Sequence, residues 1–337
     1  MTGNPWISVI IPAYNAGATI GDCLGALASQ TVPRESYEVL VVDDGSVDDT
    51  CPRVRTHDGV RLLRQAHAGP AAARNLGAKE AQGEILLFTD SDCVPARDWV
   101  AQMVAPFHND NVAGVKGAYL TDQQEIVARF VQVEYEDKYD RMSREAFIDF
   151  VDTYAAGYRR HLFLSSGGFD TSFPLASVED QEFSFRLAAR GYRMVFAPEA
   201  RVYHLDHAQT PGAYWRKKLK IGYWKVLVTR RYPAKALRDS HTPQSLKVQI
   251  LLVGLGLACL VGGLLWRPLM AVSGILALAF LLTTIPFALR AWRRDRAVAL
   301  ISPGLLLVRA LALGLGYAAG LVAHLVLKHS GGEKGRV

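Results

Sequence analysis

Two stretches near the C-terminus, Val248–Trp266 and Pro268–Leu289, contain no charged residue, and each is about as long as a bilayer core requires. No other feature constrains the fold as strongly, because a chain carrying both must hide them in a membrane or under other protein. Little more than Arg267-Pro268 separates them, so they read as a tight helical hairpin. A third apolar stretch runs from Ala297 to Leu327 and is interrupted by Arg309. A mid-bilayer arginine costs roughly 2.5–3.5 kcal/mol on insertion scales. The expectation is therefore a spanning helix over 310–327, preceded by an interfacial or re-entrant segment. The loop "RAWRRDR" (Arg290–Arg296) and the segment before the first span are basic. The positive-inside rule then places that side, with everything N-terminal to it, in the cytoplasm of a multi-pass protein of the cell (inner) membrane. Lys328, Lys334 and Arg336 fit poorly with an external C-terminus.

Up to about residue 245 the 337-residue chain mixes charge, turns and short apolar runs. The net charge of +6 suits an anionic membrane surface. Neither zinc-finger spacing nor a basic-region helix is present, so no nucleic-acid partner is expected. The four cysteines, Cys23, Cys51, Cys93 and Cys259, form no C-x-x-C pair and no disulfide framework, which suits a reducing cytosol. "MTGNPWISVIIPAYN" lacks a basic leader region and reads as a first strand. Between residues 212 and 232, Trp215, Leu219, Gly222, Tyr223, Val226 and Leu227 share one helical face. Lys217, Lys218, Lys220 and Lys225 lie opposite, a pattern that suits a membrane interface. Three regions follow: 1–210, an interface segment 211–245, and transmembrane helices 246–330.

The first region alternates strand and helix signals. Apolar strands are expected at Ile7–Pro12, Tyr37–Asp44, Val60–Gln65 and over "EILLFTD". Helices are expected over "TIGDCLGALASQ", with Ile20, Leu24, Leu27 and Ala28 on one face, and over "GPAAARNLGAKEAQG". Near-continuous apolar strands alternating with helices argue for an α/β fold, a parallel sheet covered on both faces. Residues 115–165 read as helical and charged, and "EDQEFSFRLAARG" as a helix stopping at Gly191.

In such sheets ligands bind at the carboxyl ends of the strands. Those ends carry Pro12–Asn15, Asp43–Asp44 and Asp90–Asp92: an acidic, turn-rich rim with neither G-x-G-x-x-G nor a P-loop. An Asp-x-Asp delivered by a buried strand can hold a hard divalent cation, whose shell is completed by water and phosphate oxygens. Asp43 and Asp44 offer acceptors for a uracil-like base and ribose, Tyr14 a face for packing, and Arg74 a charge for phosphate. Each alone has an ordinary structural reading as a turn or a surface charge; their placement on one edge favours a shared site.

"VVDDGSVDDT", "GPAAARNLGAKEAQGEILLFTDSDC" and "GGFD…VEDQEFSFRLAARGYR", after an "ISVIIPAYN" opening, resemble glycosyltransferase family 2 over residues 5–205. The resemblance implies a GT-A (Rossmann-like) mixed sheet with helices on both faces, followed here by the transmembrane helices. It implies an inverting transferase using a nucleotide-diphosphate sugar, UDP-type favoured, with Mg²⁺ or Mn²⁺. Pro12, Tyr14, Asn15, Asp43, Asp44, Arg74, Asp90 and Ser91 would bind the donor. Asp90, Asp92 and His204 would hold the metal, and Glu179-Asp180 would supply the catalytic base, Asp180. The glycines of Ser165–Phe169 would let the backbone approach the sugar. The acceptor hydroxyl or phosphate would belong to a lipid-linked or cell-envelope glycan. The Q-x-x-R-W motif of processive members is missing, and "YWRKK" does not replace it. Two other readings stay open: a sugar-phosphate nucleotidyltransferase, which normally shows a basic glycine-rich loop where this chain has "PAYNAGA", and a non-catalytic membrane scaffold, which needs no acids at strand ends.

Overall fold

The computed structural model describes residues 6–173, 178–237 and 239–331. Lys334 and Arg336 lie outside the described residues. Two compact units emerge. The first comprises Met1–Gln123, Tyr139–His207 and Asp239–His241; the second comprises Gln124–Lys138, Ala208–Arg238 and Thr242–Val337.

The first unit opens with β1 (Ile7–Ala13), α1 (Ile20–Ala28), β2 (Tyr37–Asp43), α2 (Thr50–Arg55), β3 (Val60–Arg64), α3 (Pro70–Glu80) and β4 (Ile85–Phe88). β1 is buried along its whole length, as a strand covered on both faces must be. Strand β3 is only half-buried because it ends the sheet. In α1 the buried face is Ile20, Cys23, Leu24 and Leu27, so Cys23 takes the place expected of Ala28, which is exposed. Then follow β5 (Cys93–Pro95), α4 (Trp99–Val104), β6 (Val112–Leu120) and α5 (Ile126–Met142), whose first part belongs to the second unit. β7 (Ala156–Arg159), α6 (Arg160–Ser165), α7 (Glu179–Ala189) and β8 (Arg193–His204) complete the first unit. Residues 115–165 are thus not uniformly helical. Val112–Leu120, small and β-branched residues almost all buried, form a strand inside the sheet.

One eight-stranded sheet runs β3-β2-β1-β4-β7-β6-β8-β5. β3, β2, β1 and β4 are mutually parallel; β7 is antiparallel to β4 and β6, β8 is parallel to β6, and β5 is antiparallel to β8. The expected parallel half is present, and antiparallel strands extend it into a mixed sheet. This arrangement sends one set of chain ends to one edge. The carboxyl ends of β1, β2, β4, β6 and β8 lie there, together with the start of β7, because Phe88 pairs with Ala156 and Ala156 with Lys116.

The second unit contains the start of α5, then α8 (Pro211–Arg231), α9 (Pro233–Leu237), α10 (Gln244–Gly262), α11 (Pro268–Trp292) and α12 (Arg296–Gly331). Three of these, α10, α11 and Arg296–Ala323 of α12, are long and apolar enough to cross a membrane. Their burial differs: 6% of the α10 window is covered by protein against 50% of the α12 window. Leu251, Leu255, Leu264 and Leu265 are exposed, as lipid-facing residues would be.

The expected break before residue 310 is absent, since α12 is continuous through Arg309. The cost of that arginine is met by a partner 175 residues away. Arg309, 5% exposed, donates to Glu134 at 2.6 Å and to Gln249 at 3.0 Å. Glu134 also accepts from Tyr214 at 2.8 Å and pairs with Lys218 at 3.4 Å. Burial opposes the Glu134 charge, but Lys218, Arg309 and Lys138 outweigh it and hold the carboxyl well below its ordinary range. The face of α8 expected to meet a membrane is partly occupied by α12. A Cβ on Gly222 would lie 2.5 Å from the Leu313 carbonyl oxygen, and one on Gly316 2.2 Å from that of Leu219. Glycine on both helices is what permits this approach.

Candidate active site

The exit of β1 is sewn to the exit of β2. Asn15, in the left-handed region at φ 48°, donates its backbone N–H to Ser46 Oγ at 2.8 Å, and its side-chain oxygen accepts from Val47 N at 3.0 Å. Pro12 is buried at the strand's end, whereas Tyr14 is exposed with its ring centroid 4.3 Å from that of His67. These two rings form an open stacking surface beside the acids of β2.

Asp43 and Asp44 are both buried and both engaged. Asp43 accepts from Arg64 Nε at 2.8 Å and from Ser46 N at 3.2 Å. Burial works against its charge, but hydrogen bonds from Ser46, Arg64 and Cys51 prevail and hold its pKa below the ordinary value. Asp44 accepts from Gln65 Nε2 at 2.7 Å and from the backbone of Ala68 and Gly69, both at 2.9 Å, and lies 2.9 Å from His67. Asp44 therefore organises the loop that starts α3, while Asp43 ties Arg64 to the turn at Ser46.

Helix α3 supplies the joint of the site. Arg74 is not a surface charge: at 2% exposure it donates to Asp90 at 2.7 Å and to Glu179 at 3.1 Å. One guanidinium thus ties the acidic end of β4 to the acidic start of α7, whose Glu179 is 105 residues beyond Arg74. The next residue, Asn75, clamps the Ser165–Phe169 turn, donating to the Phe169 carbonyl at 2.7 Å and accepting from Phe169 N at 2.9 Å. Gly167 and Gly168 have φ of 87° and 65°, and a Cβ on Gly168 would lie 2.5 Å from Asn75 Oδ1. Backbone conformation and the Asn75 clamp both require glycine at this turn. Arg186 of α7 holds the same turn through the carbonyls of Ser166 and Gly168.

The metal-competent cluster differs from the expected one in one member. Asp92, Cys93 and His204 each offer a ligand atom within 4.8 Å of one another, with His204 Nε2 3.4 Å from Asp92 Oδ2. β5 pairs with β8 so that Cys93 faces His204 in register, which is how residues 111 positions apart meet. Asp90 is outside this cluster, its carboxylate turned to Arg74; Ser91 lies half-buried between the two aspartates. Burial, together with the Asp90 and Asp92 charges, pushes the Cys93 thiol well up, so it is a poor partner for a hard cation. Asp92 and His204 offer oxygen and nitrogen donors of the kind Mn²⁺ or Mg²⁺ takes.

At the start of α7, Glu179 is buried on Arg74, and Asp180 is half-buried, accepting from Gln181 N at 2.7 Å. Burial, with the Glu179 carboxylate beside it, pushes Asp180 up to about 7; Gln181, Arg74 and Lys116 pull the other way. A carboxylate near 7 is poised to exchange a proton at neutral pH. Reasoning from motifs alone missed His67, Gln65, Asn75 and Arg186. Of these only Asn75 carried a signal, as the residue following Arg74 in "AARN".

Residues 8–164 match the family described as Glycosyl transferase family 2. Glycosyltransferase AglE of Haloferax volcanii is 29% identical over 239 residues, 66% of this chain and 74% of AglE. The pre-mycofactocin glycosyltransferase of Mycobacterium tuberculosis is 29% identical over 243 residues, 68% of this chain but only 48% of that protein. Among solved structures, a mannosyltransferase from Pyrobaculum calidifontis in complex with GDP-Man and Mn²⁺ superposes with a TM-score of 0.60 at 23% identity, covering 95% of this chain and 88% of that one. At that identity the likeness speaks for the fold. With its strand-end acids, mixed sheet and relatives in agreement, this chain is a glycosyltransferase of GT-A fold whose residues 8–164 resemble glycosyl transferase family 2.

Proposed function

We propose that the protein is an inverting, divalent-metal-dependent transferase that moves a sugar from a nucleoside-diphosphate sugar to an acceptor hydroxyl or phosphate on a lipid-linked or cell-envelope glycan. The observation that carries this reading is the Arg74 bridge, which holds Asp90 and Glu179 on one guanidinium. It ties Asp90 past the end of β4, two residues before Asp92, to Glu179 at the start of α7, one residue before Asp180. Asp92 and His204 would hold Mn²⁺ or Mg²⁺, which when bound neutralises the leaving diphosphate. Tyr14 and His67 pack on the nucleobase. Asp180 takes the acceptor proton as the new bond forms, and a single displacement inverts the anomeric centre. Arg74 and Glu179 keep that carboxylate in place, so positioning supplies a further part of the rate.

UDP-sugars are the first donors to try. GDP-mannose is the second, because the Pyrobaculum neighbour carries GDP-Man. The test is a screen of both for release of nucleoside diphosphate. Release is expected with Mn²⁺ or Mg²⁺ and should stop in excess chelator; full turnover in chelator would remove the metal from the reading. Proton NMR of the sugar product should report the inverted anomer, and labelled sugar should partition into organic solvent when membranes supply the acceptor. The catalytic region and the Arg290–Arg296 loop face the cytoplasm in this reading. Single cysteines at Val47, 88% exposed, and at exposed Arg293 should resist an impermeant maleimide until the membrane is opened.

A further inference from the structure

Lys116 occupies the middle of β6, is fully buried and forms an ion pair with Asp152. Its ammonium also donates to the Tyr154 hydroxyl at 3.1 Å, which lies 2.9 Å from that of Tyr139. The rings of Tyr154, Phe150 and Tyr139 surround it at 5.1, 5.3 and 5.9 Å. Replacing a buried ion pair by apolar residues is often neutral or stabilising, so stability alone is a weak reason for this one. Neither member has a place in donor binding as described above.

Their location supplies a reason. Lys116, Ala156 and Phe88 are in register across β6, β7 and β4, and Asp90 is two residues past Phe88. Asp152 belongs to the segment that enters β7 at the same edge. Its neighbour Val151 is tied to the helix of the proposed base: Val151 N donates to Ser184 Oγ at 3.0 Å, and that hydroxyl also lies 2.7 Å from the Asp180 carbonyl oxygen as donor.

We propose that Lys116 and Asp152 are a buried positioning pair for Asp180, which anchors the start of α7 and supplies a cation behind the base. This rests on the reading of Asp180 as the base. The groups around that carboxylate are Glu179 on its own helix, Arg74 of α3 with Asp90 on its far side, Lys116 of β6 with Asp152, and the Tyr158 phenol of β7. Lys116 lowers the Asp180 pKa, and burial pushes Lys116 itself down to about 7 although the Asp180 charge works to raise it. Without the lysine, Asp180 would stay protonated to higher pH and fewer molecules would hold a competent base at neutrality.

The test compares Lys116→Met/Asp152→Asn, which leaves no buried charge unpaired, with Lys116→Gln, which retains a hydrogen-bonding group opposite Asp152. Wild type, both variants and Asp180→Asn are assayed for nucleoside diphosphate release from the UDP-sugar or GDP-mannose that wild type hydrolyses. Donor affinity is measured by calorimetry. The acidic limb of kcat/KM should move up by about one pH unit in whichever variant folds, with donor affinity unchanged. A wild-type limb in a folded variant, or donor affinity lost in proportion to turnover, overturns the proposal. The Asp180→Asn arm separates the two readings. Wild-type turnover there removes the base assignment, whereas an inactive Asp180→Asn beside an unmoved limb removes only the role of the pair.

Discussion

Arg74 and Arg309 look alike and do different work. Each is buried, at 2% and 5% exposure, and each donates to a buried glutamate more than 100 residues away. Each has an Nε without a hydrogen-bond partner among the described residues. The difference lies in what surrounds the pair. Glu134 also accepts from Tyr214 and pairs with Lys218, and Arg309 also donates to Gln249, so that cluster closes on its own side chains. Arg74 instead reaches Asp90, whose side chain is 29% exposed, and Glu179, which precedes the half-buried Asp180. A closed charge cluster fixes a packing arrangement; one left open at its rim can exchange partners with a ligand.

The largest effect that sharpens this contrast is expected at the open rim. Asp180→Asn should lower transfer by about 10²–10⁴-fold with donor affinity retained, because the loss falls on the transition state. Equal loss of donor affinity in calorimetry would make Asp180 a donor-binding group. Asp92→Asn should cost on the order of 100-fold or more in turnover, partly recoverable by raising Mn²⁺ in the assay. Rates indifferent to metal would remove Asp92 from the metal site.

Next comes the closed cluster. Arg309→Met removes one of the two cations paired with buried Glu134, leaving Lys218 at 3.4 Å, and should destabilise the protein by at most about 3–5 kcal/mol, read as a lower melting temperature in detergent. Arg309→Met with Glu134→Gln should recover most of that stability and keep turnover. Arg74→Met with Glu179→Gln should recover stability but not turnover. If both double variants behave the same way, the comparison fails. A smaller effect is expected from Gly168→Ala, about 1–3 kcal/mol, since the new Cβ would meet Asn75 at a positive φ.

A pH dependence of stability is expected as well. The Asp180 pKa is raised from 3.8 to about 7 in the folded protein. Between those values the native state holds more protons than the unfolded one, so stability falls as pH rises through that window. Asp180→Asn should therefore melt at a higher temperature than wild type at pH 8 and at the same temperature below pH 4. An equal difference at both pH values would assign the gain to packing.

Much of this protein was legible in its residues alone. The four parallel strands, α3, the stop of α7 before Gly191 and the three apolar helices follow from short-range patterns: unbroken apolar runs, helical spacing, glycine where φ must be positive. So did the acidic strand ends, because a parallel strand delivers its last residue to a known edge. What tertiary structure alone decided is which charges meet. Arg74 with Glu179, Lys116 with Asp152, Cys93 beside His204 and Arg309 with Glu134 join residues whose separation along the chain carries no period. The strand Val112–Leu120 escaped notice because Gly114, Lys116 and Gly117 interrupt its apolar run, and the burial of Lys116 depends on the distant Asp152. The unbroken α12 was hidden because the cost of a buried arginine depends on a partner that local sequence cannot display.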